Sequence, residues 1–155
     1  MWLTEDIRYK RVKVYKDTFF GRIVKNGYEL TDRLEYAKNN GILFLDKGYV
    51  WDGPSFPKFL EFIIGKRNFD SLLAASAFHD TADAIPTIKK DHSVGYYYKT
   101  VFDIRESAWL YREMIRGWKD NKITDIQSQL QYIGLLAFHY IYRLLSSQSN
   151  WKKYK

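Results

Sequence analysis

Between Ile7 and Val50 the apolar residues recur with a period of two, and that spacing restricts the first third of the chain to β-strands. Ile7 and Tyr9, Val12 and Val14, Ile23 with Phe19 and Phe20 nearby, then Ile42, Phe44 and Val50 carry the pattern. Alternate residues of a strand face one side, so each segment turns an apolar edge toward a core. Asn26-Gly27 and Asn39-Asn40-Gly41 supply residues that tolerate the positive φ of tight turns. Residues 22–30 and 34–45 therefore read as two hairpins, with Leu43-Phe44-Leu45 returning as a strand that ends at Lys47-Gly48. Together they predict a small, twisted antiparallel sheet.

Residues 48–57 break both strand and helix with Gly48, Gly53, Pro54 and Pro57, and read as a loop. Helical spacing follows. Residues 59–64 form a short turn stopped by Gly65. Asp70 or Ser71 caps a helix over 72–85, which the Ile85-Pro86 step closes. Asp91 opens a tyrosine-rich segment, 93–102, read as a helix weakened at Gly95. Residues 106–118 form another helix, and 126–145 carries an amphipathic stripe. The predicted fold class is α+β: N-terminal β-hairpins packed against a mostly α-helical C-terminal two thirds. At 155 residues the chain reads as one domain, with a β-rich part and loop over 1–57 and a helical part over 58–155.

An aromatic content of 18%, from 13 Tyr, 10 Phe and 5 Trp, is more than a core of this size can hold. Some of those rings must meet solvent or a partner. The formal charge of +7 favours anionic partners, but the basic clusters Lys10-Arg11-Val12-Lys13, Lys89-Lys90 and Trp151-Lys152-Lys153-Tyr154-Lys155 are short and scattered along the chain. A solvated basic surface is the plainer reading, and no specific nucleic acid is predicted as a partner. The absence of cysteine excludes disulfides and thiolate metal sites. Residues 1–11 carry charges every few positions, unlike a signal peptide, and the most apolar run, 132–145, is shorter than a spanning helix needs. The expected location is a phage virion or a host cytoplasm.

Acid/base residues concentrate in one place, where His79-Asp80 follows Trp51-Asp52-Gly53-Pro54-Ser55 in the chain. On a helix, consecutive side chains diverge by about 100°, so His79 and Asp80 would serve adjacent points: the imidazole activating a water, the carboxylate holding a cation. Asp83 is spaced to orient the imidazole or to join a metal shell. Asp80 and Asp83 near a helix C-terminus invite a compensating cation, supplied by Lys89 and Lys90 or by a divalent ion such as Ca2+. Asp52 and the carbonyls near Gly53 could ligate that ion, or Asp52 could merely cap a turn. Asp91 is a candidate orienter of His79 or a helix cap. His92 reads as an exposed neighbour of that cap, and His139 as a core histidine. The run Ala74-Ala75-Ser76-Ala77 suits a helix held close to its neighbours.

The motifs Gly48-Tyr49-Val50-Trp51-Asp52-Gly53-Pro54-Ser55-Phe56-Pro57, Ala74-Ala75-Ser76-Ala77-Phe78-His79-Asp80 and Lys90-Asp91 resemble, in order and spacing, a phage and bacterial group called domain-of-unknown-function family 1353. The resemblance covers residues 5–120 and implies ancestry rather than a reaction. The His79-Asp80 helix is also similar to the HDxxY helix of phospholipase A2. That similarity implies a base at His79, a calcium ligand at Asp80, loop carbonyls near Gly53 and an orienting Asp91, with Asp83 standing where the motif has Tyr. Two expectations follow. One is a small phage-type hydrolase, with or without calcium, acting on an ester in a lipid or cell-envelope substrate through catalytic His79, Asp83 and Asp91, with Asp80, Asp52 and Gly53 as the candidate metal ligands. The other is a non-enzymatic virion or tail-associated module that binds a host protein through an aromatic, basic surface. Attachment of 151–155 to a membrane surface is a third.

Overall fold

The computed structural model describes residues 1–39, 41–54, 60–66, 69–79, 81, 84–98, 104–142 and 151–154. β1 (Tyr9–Thr18) and β2 (Gly21–Leu30) form one long hairpin, in register from Tyr9↔Leu30 to Thr18↔Gly21. Its turn is Phe19-Phe20, not the Asn26-Gly27 step that the sequence nominates. Gly27 lies inside β2 opposite Val12, where an added Cβ would stand 2.5 Å from the Trp51 carbonyl oxygen and 2.7 Å from Val14 Cγ2. Close approach of backbones, rather than positive φ, is what requires glycine there.

β5 (Val50–Trp51) pairs with the base of β2 through Tyr28↔Trp51 and Glu29↔Val50. β8 (Lys152–Lys153) pairs with the other side of the hairpin through Val14↔Lys153 and Tyr15↔Lys152. The first sheet thus runs β5-β2-β1-β8. The second runs β3-β4-β6-β7, from the hairpin of β3 (Leu34–Lys38) and β4 (Gly41–Leu45) and that of β6 (Ala84–Lys89) and β7 (Val94–Tyr98). Asn39, at φ 54°, begins the turn between β3 and β4 as its residue type predicts.

The C-terminal two thirds are therefore not mostly helical. The described residues form eight strands in two antiparallel sheets and four helices, α1 (Glu61–Ile64), α2 (Asp70–His79), α3 (Ile104–Gly117) and α4 (Asp125–Tyr142). Two misread segments account for the difference. The helix expected over 72–85 ends at His79, and Ile85-Pro86 belongs to β6. Proline is tolerated because β4 pairs with β6 only from Thr87 onward. The helix expected over 93–102 is β7 as far as Tyr98, since β-branched Val94 and consecutive tyrosines suit a strand.

α2 is the centre of the core. Every residue from Ser71 to Phe78 is buried, and Leu72, Leu73 and Phe78 join Leu30, Leu43, Trp51, Ile85 and Met114 in one cluster. Ala74, Ala75 and Ala77 leave the room α3 and β5 need to close on it. The fully buried Trp51 donates its indole N–H to Ser76 Oγ at 3.1 Å, and Ser76 donates to the Leu73 carbonyl at 2.9 Å, so the indole and the Ser76 hydroxyl are both paired. Among the described residues no helix is long and apolar enough to cross a membrane.

Candidate functional site

The described members of the sequence-derived constellation are His79, Asp52, Gly53 and Asp91. His79 ends α2 with its ring edge-on to Tyr111, centroids 5.4 Å apart, at a small crevice lined by Phe78, Ile85, Leu110, Met114 and the Ser107 hydroxyl. Tyr111 in turn donates to Gln131 Oε1 at 3.1 Å. Asp52 follows β5 and turns to Lys25 of β2, carboxylate to ammonium 3.6 Å, with only 7% of the side chain exposed. Asp91 sits in the turn between β6 and β7 and is exposed. Asp80 and Asp83 lie outside the described residues, as does the His139 side chain.

The role expected of Asp91 meets a geometric obstacle. Ile85 lines the crevice of His79, and Asp91 lies beyond Lys89 at the opposite end of β6, roughly 13 Å of strand away. Neither a following helix nor a helix cap is present. Asp91 instead accepts from the Ser93 hydroxyl at 2.5 Å and the Ser93 N–H at 3.0 Å, bonds that hold its carboxyl below the usual carboxylate range. It closes a hairpin turn whose positive-φ residue is His92, and His92 is exposed as the sequence implied.

Asp52 and Gly53 have neighbours of their own among the described residues. The Lys25 ammonium already supplies the positive charge at Asp52. Gly53, at φ +81°, lies buried beneath Tyr28, where a Cβ would come within 2.7 Å of the ring. Calcium takes six to eight oxygens, and among the described residues no three His, Asp or Glu side chains gather.

A different surface does assemble. Residues 16–25 extend past both neighbouring strands, because β8 pairs no further than Tyr15 and β5 no further than Tyr28. At the end of this arm Phe19 and Phe20 are 95% and 92% exposed, with Ile23 and Val24 exposed behind them.

No family model, curated protein or solved structure matches this chain.

The charge of the arm is equally distinctive. Residues 9–30 contain six Lys or Arg against two acids, and 151–155 contain three Lys and no acid. These two segments therefore hold the whole excess of +7, and the remainder of the chain is balanced at sixteen basic and sixteen acidic residues. β8 brings the two segments side by side. The Lys16 and Lys25 ammonium groups each lie 5.6 Å from the centroid of the Trp151 ring, and the Arg22 guanidinium lies 4.4 Å from that of Tyr15. Glu29 joins them at the base, between Lys10 at 3.1 Å and Lys153 at 3.3 Å. Its hydrogen bonds to Lys10 and then Lys153 outweigh desolvation and hold its carboxyl below the ordinary glutamate range.

Residue order singles out Phe19, Phe20 and the basic clusters at 10–13 and 151–155, but neither Tyr15, Lys16, Arg22 and Lys25 nor the union of all of these. The signal for the turn was present. Two consecutive phenylalanines interrupt the alternation just before Gly21, whose φ is +121°.

Proposed function

We propose that this chain is a non-enzymatic interaction module of the virion or host-binding kind, engaging its partner through the β1–β2 arm and the β8 strand beside it. The observation that carries the reading is the near-complete exposure of Phe19 and Phe20 at the end of the segment that, with β8, holds the net charge. Burying such a ring is worth about 1.5–3 kcal/mol, and the fold leaves that unused at two adjacent positions. Exposed apolar groups bordered by cations mark binding surfaces, and aromatic anchors dominate their energetics.

The test is capture from host lysate by the immobilised protein, with partners identified by mass spectrometry. Phe19→Ser/Phe20→Ser is expected to lose the partner while its unfolding midpoint stays near that of the parent. Capture unaffected by the double substitution would overturn the reading.

Hydrolysis rests on a single supporting observation, the half-buried His79 ring at the mouth of its crevice. It predicts that His79→Ala abolishes ester turnover and leaves the fold intact. The interaction reading predicts no His79-dependent turnover of lipid or cell-envelope esters at all.

A further inference from the structure

We infer that the surface recognised by the arm is an anionic lipid bilayer, met by shallow insertion of Phe19 and Phe20 with the surrounding cations at the headgroups. This rests on the arm being the binding surface and adds the class of partner.

Phe19 and Phe20 lead the arm. Asp17 and Arg22 form the next rung, then Lys16 opposite Ile23, Tyr15 opposite Val24 and Val14 opposite Lys25. Ile23 and Val24 are exposed. The Arg22 guanidinium lies back over the Tyr15 ring, and Lys16 and Lys25 over Trp151, so the cationic heads gather behind the phenylalanines. Tyr154 stands edge-on to Tyr15 at 6.1 Å. From Tyr15, the last residue of β1 braced by β8, to Phe19 is four residues of strand, about 13 Å. Interfacial elements sink roughly 5–10 Å into the headgroup and acyl boundary. The leading rings would thus reach acyl chains while the tryptophan, tyrosines and cations stay among phosphates, where such side chains concentrate.

Electrostatics points the same way. The excess of +7 lies in residues 9–30 and 151–155 of an otherwise balanced chain, so an anionic surface would orient the protein with the β1–β2 hairpin foremost. Asp17 is paired with Arg22 at 2.8 Å and Glu29 with Lys10 and Lys153, so neither acid meets the approaching phosphates as a lone charge. Two adjacent exposed phenylalanines lead the arm, and a bilayer takes both into hydrocarbon, whereas a duplex presents phosphate outermost. A cationic two-stranded ribbon also matches a duplex groove, so a duplex is one arm of the experiment.

The experiment is flotation of the full chain with vesicles of phosphatidylcholine alone and of phosphatidylcholine mixed with phosphatidylglycerol. The parent is expected to float with the mixed vesicles and to lose most of that binding at high salt. Phe19→Ser/Phe20→Ser should lower partitioning by about tenfold or more, and Lys16→Gln and Lys25→Gln by roughly fivefold each. Absence of flotation, or flotation indifferent to the phenylalanines, overturns the proposal. So does tighter, phenylalanine-dependent binding to a short DNA duplex, which would assign the arm to nucleic acid. Failure to float alongside arm-dependent capture of a protein rejects the lipid partner alone. Failure of both rejects the interaction reading with it.

Discussion

From Ser71 to Phe78 every residue of α2 is buried, whereas from Lys16 to Asn26 no residue of the hairpin is. The two regions divide the molecule's tasks. α2 is enclosed by α3 and β5, and its short side chains let those neighbours close until Trp51 is fully buried and bonded to Ser76. Among the described residues no third strand pairs with the arm, and an isolated two-stranded ribbon is only marginally stable in water. What steadies its base is chemistry from the other end of the chain, namely Trp151 beneath Lys16 and Lys25, and Glu29 between Lys10 and Lys153. Stability resides where nothing is exposed. Apolar and cationic groups are on display where stability has little to lose.

That division can be broken most severely at Trp51. Trp51→Ala removes the largest fully buried side chain and the indole that caps Ser76, and is expected to destabilise the fold by about 3–5 kcal/mol in denaturant titration. A loss comparable to that of a surface substitution would show that α2 and β5 are not the centre of the fold. At the other extreme, Phe19→Ser/Phe20→Ser is expected to change stability by no more than about 0.5 kcal/mol, measured in the same titration. A large loss there would make the arm part of the folding core and remove the contrast.

The smallest expected effect is on the brace between β8 and the hairpin. The Glu29 carboxyl is held below its ordinary value. A depressed folded value adds stability above the unfolded pKa of about 4.3 and loses it as pH falls through the folded one. Acidification through that lowered folded value should therefore release Lys10 and Lys153 and loosen β8 before the α2 core opens. The measurement is amide protection at Tyr154, whose N–H donates to the Lys13 carbonyl at 2.8 Å. Glu29→Gln should reproduce the loss of protection at neutral pH. Protection unchanged in both would assign the attachment of β8 to backbone pairing and ring contacts alone.

The elements that could be read from residue order are those with local causes. Asn39 marks the β3–β4 turn because it tolerates positive φ, and Gly65 stops α1 at φ +102°, with its N–H on the Glu61 carbonyl. α3 and α4 lie within two or three residues of the 106–118 and 126–145 spans, because their apolar stripes repeat at helical spacing. β6 and β7 were misread because proline and a tyrosine run carry ambiguous local signals, which pairing with β4 resolved. Residue type groups His79, Asp52 and Asp91, whereas the contacts seen in the fold, Tyr111 beside His79, Lys25 beside Asp52 and Ser93 beside Asp91, come from pairings that local spacing does not encode.

Residue order by itself determined the strand alternation, the Asn39 turn, the two long helices and the total charge, since each depends on neighbours a few positions apart. Only the tertiary structure decided where that charge resides. Lysines that are scattered along the chain become one surface because Val14 pairs with Lys153, a contact spanning nearly the whole chain that no local spacing encodes. In the same way, Gly27 became a point of close contact once β5 packed against β2, because steric room is a property of the assembled backbone.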